Sequence, residues 1–167
     1  SDLANDFGNL AQRVLSMINK NCGGEVPAPG ALSLDDAGLL RSARGLLEKM
    51  RGVMDQQAIH LALTALWEVV GDANRYVDAQ APWALKKNDP ARMATVLYVL
   101  AEVIRHLAIL AQPVVPEAAG RMLDQLAIPE DQRGFAALGD GAPLEPGTAL
   151  PKPEGVFPRY SGPEEDA

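Results

Sequence analysis

The chain has 167 residues and a formal net charge of −7, from 22 acidic and 15 basic side chains. Its single cysteine, Cys22, excludes an internal disulfide and any cysteine-rich zinc site, so a reduced, cytoplasmic setting is expected. The acidic balance speaks against a generic polyanion binder, and no run approaches the roughly 18 uninterrupted apolar residues of a membrane span.

The charge is uneven. Three basic and eight acidic residues follow position 126, so the tail carries −5 and the body −2. A near-neutral body can still present a local basic face. The chain opens on Ser1 without a basic, hydrophobic leader, and the reading is a piece cut at a domain boundary and not exported.

Residues 2–22 read as a helix, with Leu3, Phe7, Leu10, Val14, Met17 and Ile18 at helical spacing and Gly23-Gly24 as its stop. Ser33 is expected to cap a second helix, with Asp35 and Asp36 in its first turn and Leu39, Leu40, Ala43, Leu46, Leu47 and Met50 as its buried stripe. Asp55 is expected to cap a third that runs to about Gln80. Its inner face is read as Ile59, Leu63, Leu66, Trp67, Val70, Ala73 and Val77, which places Trp67 in the core. Asp89-Pro90 is an N-cap followed by proline at the first helical position, and a fourth helix carries Met93 through Leu110 until Pro113. Pro116 starts a short fifth helix ending near Leu126.

No alternating strand pattern interrupts this series. The expected fold is all-α: an antiparallel bundle of about five helices over residues 1–127, followed by an extended, acidic, Pro/Gly-rich tail over 128–167. The apolar islands Leu144, Leu150, Val156 and Phe157-Pro158 mark that tail as a strap that docks, either on this bundle or on a neighbour.

Metal and nucleophile signatures are missing. His60 and His106 stand alone on separate helices, no glycine-rich loop follows a strand, and Gly139-Asp140-Gly141 reads as a turn. No catalytic centre is expected in this chain.

Polar chemistry gathers elsewhere. Asn9 and Arg13 are one helical step apart and share a face pointing off the core, with Lys20 further along close to that face. The run from Asn74-Arg75-Tyr76 to Ala81-Pro82-Trp83 lies where the long helix stops. There a flat ring beside polar side chains can either stack an unpaired nucleobase or fill a helix–helix corner as core. Arg75 reads as a local brace to Asp72 or Asp78, and Tyr76 as a core ring with its hydroxyl tied locally.

Asn5 through Arg13, Asn74-Arg75-Tyr76, Ala81-Pro82-Trp83-Ala84-Leu85-Lys86, the break Gln112-Pro113-Val114-Val115-Pro116 and Pro151 through Arg159 together resemble the anticodon-binding domain of bacterial methionyl-tRNA synthetase, a class I synthetase. The likeness covers nearly the whole chain. It implies a helical bundle that reads the CAU anticodon of methionine tRNA, with Asn9, Arg13 and Trp83 contacting the anticodon. Lys86 and Lys87 would then meet backbone phosphates, and Lys20, Asn74 and Arg75 complete the expected site. The family's ATP-binding signatures are absent, so no cofactor is expected here: ATP and methionine would be used by a catalytic domain preceding Ser1. Tyr160 departs from the aliphatic residue expected after Phe157-Pro158-Arg159. The alternative from another class is a helical protein-interaction domain with a docking proline-rich tail. No membrane or DNA partner is expected.

Overall fold

The computed structural model describes residues 2–155, with side chains from residue 5 onward. It is an all-α bundle, and the five expected helices are present with two modifications. α1 spans Asp2–Asn21 and buries Phe7, Leu10, Val14 and Ile18. Gly23 and Gly24 stop it at φ +63° and +70°, a left-handed pair that residues with a Cβ enter at a cost. α2 (Leu34–Arg44) starts on a full capping box, the Ser33 hydroxyl accepting from the Asp36 N–H and the Asp36 carboxylate from the Ser33 N–H. Gly45 then interrupts the expected second helix, and α3 (Leu46–Met54) follows it with Leu46 still buried.

Asp55 does not cap the long helix. It closes α3 instead, its N–H on the Arg51 carbonyl at 3.0 Å. Gln57 then takes a left-handed φ of 57°, and α4 (Ile59–Gln80) begins without a side-chain cap. The inner face of α4 is also rotated from the expected one. Ala62, Leu66, Val69, Val70, Ala73, Tyr76 and Val77 are buried, whereas Ile59 is 60% and Trp67 39% exposed. Trp67 is therefore not core: the true stripe is centred on small and β-branched residues, and a ring at 67 falls to its edge.

α5 (Pro82–Asn88) is the second modification, a two-turn helix that starts immediately after α4. Asp89 caps α6 (Pro90–Ala111) by accepting from the Arg92 N–H, and Pro116 opens α7 (Pro116–Gln125). α6 is the hub, packed against α1, α2, α4, α5 and α7. It is long and apolar enough to cross a membrane, but 89% of its apolar window is buried inside the bundle, the environment an all-round hydrophobic helix requires.

Beyond α7 the chain forms two 3₁₀ turns, Glu130–Gln132 and Phe135–Ala137, and then an irregular strap. A buried polar cluster on α6 holds it. The Arg105 guanidinium donates to the Glu102 carboxylate and to the carbonyls of Ala137 (2.5 Å) and Gly139 (3.0 Å), while Glu102 also accepts from the Leu144 N–H at 2.5 Å. The His106 Nε2 accepts from the Gly139 N–H at 2.9 Å, which leaves the Nδ1–H to donate to the Glu102 carbonyl at 2.7 Å. Burial pushes the His106 imidazole below its ordinary value, so the neutral form is the one that fits. Further on, Val26 exchanges main-chain hydrogen bonds with Gly147 and Thr148, and Leu150 donates to Gly24. The Gln125 side-chain amide grips both the N–H and the C=O of Glu154. Leu144 is buried and Leu150 packs on the core, so these islands dock on this bundle; Val156 and Phe157-Pro158 lie outside the described residues.

Candidate functional site

Two features build a groove along α1 and α4. On α1, a stripe of Leu10, Val14 and Ile18 sits in the core, which turns Asp6, Asn9, Gln12, Arg13 and Ser16 outward. On α4, Gly71, Asn74, Arg75 and Asp78 face them. Together these nine residues line one open groove of about 880 Å³.

The corner that ends α4 places the indole. Pro82 bars the right-handed helical region to Ala81, which adopts a left-handed conformation at φ 46°, ψ 60°. Pro82 then occupies the first position of α5, where its missing N–H costs nothing. Trp83 is the next residue, so its ring is carried by the first turn of α5, a helix the sequence reading did not include. It is 51% exposed, which settles the rival core placement. Its face is covered by Arg13, whose guanidinium carbon lies 5.7 Å from the ring centroid. The same guanidinium reaches the Asp78 carboxylate at 3.4 Å.

A buried brace fixes this corner from behind. Arg92 on α6 donates to both oxygens of Asp36 on α2 (2.6 and 2.8 Å) and to the Gln80 side-chain oxygen at 2.8 Å, one residue before the left-handed turn. The Tyr76 hydroxyl donates to Asp36 at 2.5 Å. The hydroxyl is tied, as expected, but across 40 residues and not locally. Burial would raise the Asp36 carboxyl, yet the Arg92 guanidinium, the Tyr76 hydroxyl and the Ser33 donors outweigh it and hold the group well below the usual carboxylate range. Burial, then the hydrogen bond to Asp36, push the Tyr76 phenol above its ordinary value.

Asn9, Arg13, Asn74 and Arg75 thus line one groove, with Trp83 beneath Arg13. Arg75 is bridged to Asp72, one of its two expected partners, and the Asn74 amide donates to the Val70 carbonyl at 3.2 Å. Lys20, Lys86 and Lys87 are exposed but do not line the groove. Asp78 was read only as a possible partner of Arg75. Its contact with Arg13 joins residues 65 positions apart, which spacing along one helix cannot signal. Among the described residues no group of three His, Cys, Asp or Glu side chains converges as a cation site would require.

Comparison with known proteins places this arrangement. Residues 26–166 match the family described as the anticodon binding domain of methionyl tRNA ligase. Methionine–tRNA ligase of Brucella suis is 58% identical over 160 residues, 96% of this chain and 31% of that protein. That of Mycobacterium tuberculosis is 55% identical over 168 residues, 98% of this chain and 32% of its own length. The crystal structure of the free-state M. tuberculosis methionyl-tRNA synthetase superposes with a TM-score of 0.92 at 55% identity, covering 98% of this chain and 33% of that one. The chain spans about a third of the length of the curated relatives it matches. On fold, matched residues and identity together, the chain belongs to the family of anticodon-binding domains of methionyl-tRNA ligases.

Proposed function

We propose that this chain binds the anticodon loop of methionine tRNA and reads its CAU triplet, orienting the tRNA for ATP-dependent aminoacylation with methionine in the catalytic part of a methionine–tRNA ligase, which works in the cytoplasm. The observation that carries the reading is convergence: an amide (Asn9) and a guanidinium (Arg13) on α1 line one open groove, and the half-exposed indole of Trp83 on α5 lies beneath that guanidinium.

Cytosine presents two acceptors, O2 and N3, on its pairing edge. The Arg13 guanidinium and the Asn9 amide are donors that match them, whereas uracil places a donor at N3, opposed to Arg13. The indole supplies the face on which an unpaired base stacks. In the free protein Arg13 itself covers that face, so base binding exchanges a cation–π contact for a stack while Asp78 keeps the guanidinium at hand. Lys86 and Lys87 on the adjoining α5, and Lys20 on α1, are exposed cations suited to the phosphates flanking the loop.

The test is equilibrium binding of a CAU anticodon stem-loop, against one with UAU, over a range of salt. Binding that weakens as salt rises and prefers CAU supports the reading. Equal binding of both RNAs, or capture of a peptide helix in preference to either, favours the protein-interaction alternative.

A further inference from the structure

The groove does not end at Asn74. A second open depression, about 560 Å³, is lined by Thr64, Trp67, Glu68, Gly71, Asp72 and Arg75, and it shares Gly71 and Arg75 with the first. Trp67, Gly71, Asn74 and Asp78 fall on one face of α4 at helical spacing. Gly71 borders both: a Cβ there would come 3.4 Å from the Arg75 guanidinium, in van der Waals contact with it. At 1.5 Å per residue, Trp67 stands about 16 Å along α4 from Asp78, too far to touch a base held at Trp83 and Arg13.

Trp67 is 39% exposed, and it is bordered in this depression by a hydroxyl, two carboxylates and a guanidinium. Its surroundings are those of a polar recognition surface with one flat face, unlike the uniformly apolar seam a helix would pack into. The carboxylates are themselves engaged, Glu68 with Lys49 at 3.0 Å and Asp72 with Arg75. Each carboxylate is thereby paired with a cation, so the depression holds no uncompensated charge from these two groups. A base would meet only the indole and hydrogen-bonding groups.

We propose that Trp67 is a second base-stacking platform, which takes an unpaired nucleobase of the same anticodon loop at a position different from the base held at Trp83. This rests on the anticodon reading above. It extends the RNA-contacting surface along α4 and assigns a role to an indole that neither the core nor the first groove uses.

The experiment measures affinity of the whole chain for a CAU stem-loop and for a series of stem-loops carrying one abasic sugar at each loop position in turn. Trp67→Ala should weaken binding of the intact stem-loop roughly 5- to 100-fold. It should also abolish the penalty of one abasic position only, a position that Trp83→Ala leaves sensitive. Trp67→Phe should retain most of the affinity, and helicity should be unchanged because the ring is on the edge of the core. Unaltered affinity for Trp67→Ala, or a loss spread evenly over all abasic positions, overturns the proposal, the first of these pointing to a protein surface instead. If Trp83→Ala is sensitive and Trp67→Ala is not, only this proposal falls. If neither variant matters, or the wild type ignores the stem-loop, the anticodon reading falls with it.

Discussion

The guanidinium of Arg13 lies over the ring of Trp83, 5.7 Å from its centroid, while one nitrogen reaches Asp78 at 3.4 Å. A residue from α1, one from the last turns of α4 and one from α5 therefore meet at a single corner. Arg13 and Asp78 are both substantially exposed, so their ion pair contributes little to stability and is free to rearrange.

Removing the stacking face should be costly for RNA and harmless for the fold. In the full-length ligase, Trp83→Ala is expected to lower tRNA charging efficiency by roughly 5- to 100-fold, the worth of one stacked base, with methionine activation by ATP unchanged. Separate assays of ATP–pyrophosphate exchange and aminoacylation check this; unchanged charging would count against the assigned role.

Arg13→Gln should blunt discrimination more than it blunts affinity. The ratio of charging efficiency between tRNAs with C and with U at the first anticodon base is expected to fall by about tenfold or more, since one charge-assisted hydrogen bond is worth roughly 1.5–3 kcal/mol. A constant ratio would remove Arg13 as the reader.

Asp36 predicts a pH dependence. Its folded carboxyl is held below the unfolded value of about 3.9, so its stabilisation is fully present above that pH and is lost as pH falls below it. Asp36→Ala strands the partly buried Arg92 guanidinium and should cost about 3–5 kcal/mol at neutral pH. Urea titrations of both proteins at pH 7 and near pH 3 should show the gap narrowing at the lower pH.

His106 gives a second window. Its imidazole is depressed by burial, so the unfolded chain binds the proton first and stability declines as pH falls below the unfolded value of about 6.5. Denaturation of the His106→Gln variant between pH 5 and 7.5 should show a flatter slope than the wild type. An equal slope would mean that the imidazole does not carry the effect.

The strap offers a local test. Gln125→Ala removes both hydrogen bonds to the Glu154 main chain, and amide exchange at Glu154 should accelerate while α6 amides keep their protection. Uniform acceleration across the bundle would show that the strap and core open as one unit.

Much of this was legible beforehand. The stops and starts that depend on local backbone chemistry stood where the sequence put them: Gly23-Gly24, the Ser33 cap, Asp89-Pro90 and Pro116. Asn9 and Arg13 were placed on one outward face by helical spacing. The misreadings share a cause. Asp55 looks like a cap but ends a helix, because Gly45 splits the expected second helix and the separate α3 terminates at Asp55. Trp67 was read as core from its place on the expected apolar face, but the buried arc of α4 runs through Ala62, Ala65 and Ala73 instead. Glu102, Arg105 and His106 gave no signal inside so apolar a helix, for their partners are main-chain groups of residues 137–144.

By itself the sequence determined what is local: where helices begin and end, which side of each is apolar, and the family likeness those motifs carry. Only the tertiary structure decided which outward faces became neighbours, because the rotation of α4 about its axis is set by its summed packing against α1, α2, α3 and α6. That rotation turned Asn74 and Asp78 toward Arg13 and left Trp67 at the surface beside them.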